Sequence, residues 1–215
     1  NFRVFYTFKG TSAHASGAPH MGRSALDAVE LMNVGCNYLR EHMETTSRIH
    51  YAITDTGGTA PNVVQSHAQV RYMIRALTNN AVNDLKARVE RVAQGAAMMT
   101  DTTVTSKVLS GYSSLITIPT LQQTAYEAMQ EVPFPVPTEE ELEFGRALRA
   151  TMHLTPEELA GPVYPESLLP PAPPKDHGGS TDTADVSWNC PTVQMHIGNW
   201  VVGTPGHSWQ SASQS

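Results

Sequence analysis

Several things are scarce in this sequence, and each scarcity excludes something. Cysteine occurs twice, at Cys36 and Cys190, which is too few for a disulfide-stapled scaffold and points to a reducing, cytoplasmic setting. Basic residues do not dominate: 14 Lys and Arg stand against 20 Asp and Glu, a formal charge of -6. Such a chain lacks the overall basic balance of a nucleic-acid binder. No apolar run approaches the ~18 residues that would span a bilayer, so no membrane role is expected. Aromatics make up only 7 % of the residues, yet hydrophobic residues reach 40 %, an ordinary globular composition. There is no initiator Met and no signal peptide, and the opening Asn-Phe-Arg-Val-Phe-Tyr already has strand character. The chain therefore reads as a fragment or a processed product.

What is present has a clear order. Phe2, Val4, Tyr6 and Phe8 alternate with Arg3, Phe5 and Thr7, the period of a strand. Apolar residues from Gly22 to Met43 recur at helical spacing. Strands are expected over Arg48–Thr54 and Val63–Leu77, a second helix over Val82–Met99, and a fourth strand over Thr102–Leu109. The order β-α-β-β-α-β predicts a ferredoxin-like α+β domain over residues 1–113: a four-stranded antiparallel sheet with both helices on one face. Beyond a boundary near residue 113 the character changes. Helices are expected over Thr120–Gln130 and Glu139–Met152, with Thr138 as N-cap and Glu141 completing a capping box. Gly161–Pro174 is too rich in proline for regular structure. A strand-like run, Thr192–Ile197, precedes a final Gly/Pro loop.

Three groups of residues could carry chemistry. The first is Gly10-Thr-Ser-Ala-His14-Ala, followed by Pro19-His-Met-Gly22-Arg-Ser-Ala-Leu-Asp-Ala28. A histidine among small residues lets a ligand or a second backbone approach, and its N–H could serve a developing oxyanion. The second is Gly57-Gly58-Thr-Ala-Pro61-Asn62, with Arg75 thirteen residues on. An amide and a guanidinium suit a carboxylate, although a regular strand would put an odd separation on opposite faces. The third is the pair of C-terminal loops. One carries Asp182 and Asp185 after Gly178-Gly179-Ser180-Thr181, and the other ends Gly203-Thr-Pro-Gly-His207. A loop histidine suits zinc, but one histidine makes no site, and no H-E-x-x-H or cysteine pair accompanies it. Taken singly, His14 also fits a surface loop with no role, and Arg75 fits a pair with a surface acid.

Taken together and in this order, the motifs resemble a zinc metallopeptidase and amidohydrolase family. Its members include glutamate carboxypeptidase, aminoacylase and succinyl-diaminopimelate desuccinylase. The resemblance implies that residues 1–113 are a dimerisation lid and 114–215 a partial C-terminal segment of an α/β catalytic domain. It implies a hydrolase with two divalent metals, zinc or manganese, that cleaves an aminobenzoyl-glutamate-like amide beside a free carboxylate. It further implies an oxyanion-stabilising role for His14 in the partner subunit's site, substrate binding by Asn62 and Arg75, and metal ligation by His207. A homodimer through the lid and a second hydrolase subunit are the implied partners.

Some family features are missing. The His-x-Asp metal ligand, the bridging carboxylate and the Glu general base are not in the chain. The helix expected after the last histidine loop is not found, and Gln65 stands where proline is usual. Asp182 and Asp185 are expected to orient or stabilise their loop. The competing reading is a non-catalytic dimerising fragment, inactive by itself. An RNA-binding domain of the same topology fails on charge and on its third strand, where Gln69-Val-Arg-Tyr-Met-Ile lacks a stacking pattern. A small-molecule regulatory domain would leave His14 and His207 unexplained.

Overall fold

The computed structural model describes residues 1–172 and 180–214. It separates into two compact units. The first comprises Asn1–Ile116 with the described part of Lys175–Cys190, and the second comprises Thr117–Pro174 with Pro191–Ser215.

In the first unit the chain order is β1 (Phe2–Lys9), α1 (Ala25–Leu39), β2 (Arg48–Asp55), β3 (His67–Arg75), α2 (Asn79–Thr100) and β4 (Thr103–Gly111). The strands form one sheet in the order β2-β3-β1-β4, and each neighbouring pair is antiparallel. This is the ferredoxin-like arrangement expected from the alternation of periods. Val4, Tyr6 and Phe8 of β1 and Ala68, Val70, Tyr72 and Ile74 of β3 are buried. They pack with Ala28, Val29 and Met32 of α1 and Leu85, Val89 and Ala93 of α2 in one cluster. The alternate strand residues stand on the face opposite α1 and α2.

Capping sets the helix ends. Ser24 Oγ accepts from Asp27 N at the start of α1, and Thr78 Oγ1 accepts from Ala81 N at the start of α2. α2 ends at Asp101, whose φ of 54° is left-handed.

β3 starts four residues later than its apolar run suggests. The backbone of residues 63–66 is used elsewhere: Val64 N donates to Ala13 O, Ala25 N to Gln65 O and Gly10 N to Ser66 O. Gln65 also accepts from Ser24 Oγ at 3.3 Å, so this position bonds to the α1 cap where proline would offer no side-chain acceptor.

α6 (Thr183–Ser187) belongs to the first unit. The second unit contains α3 (Pro119–Gln130), α4 (Glu139–Arg149), α5 (Pro156–Ala160) and α7 (Trp209–Ala212). The Thr138–Glu141 capping box forms as expected, and Thr155–Glu158 repeats it on α5. Thr192–Ile197 is not a strand: it follows Pro191, and no strand among the described residues pairs with it. A single helical turn does follow the last histidine loop, where Ser208 caps α7. Among the described residues, no helix is long and apolar enough to cross a membrane.

Candidate active-site loops

His14 lies in the loop between β1 and α1, and the fold fixes that loop from three directions. Thr11 and Arg23 exchange backbone hydrogen bonds of 2.9 Å. Gly10 permits this closeness, because a Cβ there would meet Arg23 O at 1.9 Å. The Arg23 guanidinium donates to the backbone oxygens of His20 and Gly22 and pairs with Asp101 at 2.7 Å, tying the loop to the end of α2. Sequence reasoning missed Arg23, whose charge within a run of small residues was the available signal.

The imidazole of His14 is oriented by its own loop. Its Nδ1 accepts from the backbone N–H of Ser16 (3.3 Å) and of Gly17 (3.1 Å). A backbone N–H can only donate, so Nδ1 carries no proton and the neutral ring is protonated on Nε2. His14 therefore presents an N–H donor away from its anchoring turn.

The structure brings Asn62 to His14. Ala15 N donates to Asn62 O at 2.9 Å, and His14 and Val63 form an antiparallel bridge. The turn before Asn62 is built at Gly57, whose φ is 78° and whose N–H donates to Asp55 Oδ1 at 2.8 Å. Asn62 itself is exposed.

Arg75 is not brought to this place. β3 runs unbroken from His67 to Arg75, eight steps or about 26 Å of strand. Within one chain, Asn62 and His14 mark one end of the sheet and Arg75 the other. Asn62 and Arg75, grouped together in the sequence, do not meet within one chain. Arg75 lies opposite Arg48, with its Nε 3.1 Å from Met73 Sδ. Burial and then the charges of Arg75, Arg40 and Arg48 hold the neighbouring His50 below the ordinary imidazole value.

Asp185 accepts from Ser113 N at 2.9 Å, and this bond depresses its carboxyl pKa. Trp188 Nε1 donates to Ser114 O nearby, so this segment braces the exit from β4. Asp182 lies at the N-terminal end of α6 and accepts from Thr181 Oγ1 at 3.3 Å. Gly178 and Gly179 lie outside the described residues.

In the second unit, His207 is exposed at its loop tip with φ of 58°. A histidine in the left-handed region is uncommon, and such strain gathers at functional positions. Among the described residues, no group of three His, Cys, Asp or Glu side chains could hold a metal ion. A catalytic zinc takes about three protein ligands and an open position, so the described side chains do not make that site by themselves.

Residues 2–98 match the family model described as a peptidase dimerisation domain. Over those residues the chain is similar to a peptidase dimerisation domain. It is 39 % identical over its whole length to a p-aminobenzoyl-glutamate hydrolase subunit of Escherichia coli (strain K12), and it covers 49 % of that protein. The Xaa-Arg dipeptidase of Mus musculus is 33 % identical over 47 % of this chain and 23 % of its own length. Among solved structures, an aminobenzoyl-glutamate utilization protein from Klebsiella pneumoniae superposes with a TM-score of 0.52. That match covers 64 % of this chain and 37 % of the other at 23 % identity, and it supports the fold alone. The chain thus spans about half the length of the first of these relatives. The resemblance read from the motifs holds, and both sequence relatives are hydrolases.

Proposed function

We propose that this chain is the lid and part of the catalytic domain of a metal-dependent amidohydrolase, cleaving an aminobenzoyl-glutamate-like amide beside a free carboxylate. The observation that carries the reading is the oriented His14, with Nδ1 tied to two backbone N–H groups and an N–H donor left on Nε2. A preorganised donor of this kind stabilises the oxyanion that develops when an amide carbonyl is attacked. Asn62 stands beside it as a second polar contact. Arg75 offers the bidentate fork that suits the substrate carboxylate.

The separation of His14 from Arg75 becomes useful in a two-fold dimer. β2 is an edge strand, with no further strand beyond it among the described residues. Its half-exposed Tyr51 and Ile53, with Val34 and Tyr38 of α1, give this side apolar surface. The opposite edge, β4, carries Lys107 at its middle, which discourages pairing. A two-fold axis across β2 pairs it antiparallel with its mate, so the Arg48 end of one strand lies against the Asp55 end of the other. Arg75 of one protomer then comes to the end of the sheet where its partner carries His14 and Asn62. Each site draws its carboxylate clamp from one chain and its oxyanion donor from the other.

His207 would supply one ligand of the metal centre. The other ligands and the general base are assigned to protein outside this sequence, together with a further hydrolase subunit. When bound, zinc or manganese would polarise the carbonyl and lower the pKa of the attacking water. Cys36 and Cys190 form no disulfide, which fits a reducing, cytoplasmic setting.

By itself the 215-residue chain should dimerise without hydrolysing amides. The test pairs sedimentation of this chain with amide hydrolysis by the complete protein, before and after chelation. A dimeric, inactive chain and a chelator-sensitive complete enzyme are expected. A monomeric chain at tens of micromolar, or turnover by the chain alone, would overturn the reading.

A further inference from the structure

The sheet face opposite the helices holds six of the 14 Lys and Arg residues: Arg3, Lys9, Arg48, Arg71, Arg75 and Lys107. The four strands contain one carboxylate, Asp55, and it is engaged 3.2 Å from His67 Nδ1. An acidic chain has thus gathered cations on one face. Arg3, Arg71 and Lys107 are exposed, and among the described residues they have no hydrogen-bond or ion-pair partner.

The register defines the cluster. Arg3 pairs with Met73, so Arg71 and Arg75 are its two diagonal neighbours on β3, at about 7–8 Å. Arg71 and Lys107 flank Phe5 in one cross-strand row. Arg48 directly opposes Arg75, an arrangement of like charges that destabilises a sheet. The lowered pKa of His50 reflects the same positive surroundings, after burial. A concentration of guanidinium groups with so little acid among them focuses positive potential and attracts anions.

We propose that Arg3 and Arg71 form a second carboxylate site beside Arg75, selecting amides whose amino acid carries its own side-chain carboxylate. This rests on the reading of Arg75 as the clamp for the first carboxylate. In a glutamate-type substrate the two carboxylates are separated by three carbons. One would take the fork of Arg75 and the other the fork of Arg3, diagonally next to it, with Arg71 diagonal to Arg3 on the far side. Arginine suits both roles because its donors match a carboxylate edge. Removing Arg3 and Arg71 should weaken dicarboxylate binding without affecting monocarboxylates.

The experiment titrates the 215-residue chain with N-benzoyl-glutamate and with its monocarboxylate counterpart N-benzoyl-glutamine, following backbone amide shifts by NMR. The dicarboxylate should bind at least about tenfold more tightly, the size expected for one added charge-assisted pair. The shifts should centre on β1 and β3 around Arg3 and Arg71. The preference should vanish in the Arg3→Gln/Arg71→Gln variant and fade at high salt, with thermal unfolding unchanged. Equal affinities, or a preference that survives in that variant, would overturn the site. So would a variant that changes only the oligomeric state, which would make the face a protein interface. The same two compounds given to the complete protein separate this proposal from the function. A preference in the chain without hydrolysis of either compound would leave the site standing and overturn the amidohydrolase reading. Hydrolysis of both without any preference would do the reverse.

Discussion

The two units are held together by different means. In the first, nineteen hydrophobic residues of the sheet, α1 and α2 are buried in one cluster. In the second, only Leu148 and Val201 are buried hydrophobic residues among those described. Its order comes instead from polar groups. Arg149 is buried and donates to the carbonyls of Glu158, Gly161 and Pro162. Capping boxes start α4, α5 and α7. Meanwhile Val136, Ile197 and Leu169 stay 80–88 % exposed. Local capping can specify short helices, but stability of tertiary structure comes chiefly from apolar burial. The first unit has the core of a self-sufficient domain. The second leaves large apolar side chains on its surface.

Core truncation should break this comparison most visibly. Phe8→Ala should cost about 3–5 kcal/mol and unfold the first unit at ordinary temperatures. Ile197→Ala, at an exposed position of the second unit, should stay within about 0.5 kcal/mol. Denaturant titration of both variants measures the contrast, and similar losses would contradict it.

A smaller effect is expected at Gly10. Gly10→Ala would set a Cβ against Arg23 O, displacing the loop rather than the core. The complete enzyme should lose rate through misplacement of His14, while the unfolding midpoint falls by less than for Phe8→Ala. Activity and melting measured on the same preparation separate these effects.

The smallest effect concerns Asp185. Its folded pKa is depressed by the Ser113 N–H bond. The bond's contribution is therefore present above the ordinary carboxylate value of 3.8 and is lost as pH falls through the lower folded value. Hydrogen exchange at Ser113 should quicken in acid below that value and should be fast at every pH in Asp185→Ala. Protection unchanged by either would show that the brace is not carried by the carboxylate.

Much of the first unit was legible because its signals are local. The alternation of Val4, Tyr6 and Phe8 and the helical spacing of Leu85 and Val89 depend on nothing distant. The late start of β3 was not legible, because residues 63–66 give their backbone bonds to a loop fifty residues earlier. Thr192–Ile197 failed for the converse reason: strand-like residues remain coil without a partner strand. At the site, His14 and Asn62 were legible one by one, but the backbone bond that joins their loops is a tertiary fact. The cationic sheet face was hidden by a net charge of -6, since composition says nothing about which side of a strand a charge occupies.

The central claim is that each site combines Arg75 of one protomer with His14 of the other. It is tested most directly by mixing two impaired variants of the complete enzyme, assayed at substrate well below the KM of the Arg75 variant. His14→Ala should lower kcat by about 10²–10³ with little change in KM, as expected for an oxyanion donor. Arg75→Ala should raise KM for carboxylate-bearing substrates. Random reassortment of the two should restore about a quarter of wild-type activity, because half the dimers are mixed and each has one intact site. No recovery after proven subunit exchange would place His14 and Arg75 in service of the same chain and contradict the account.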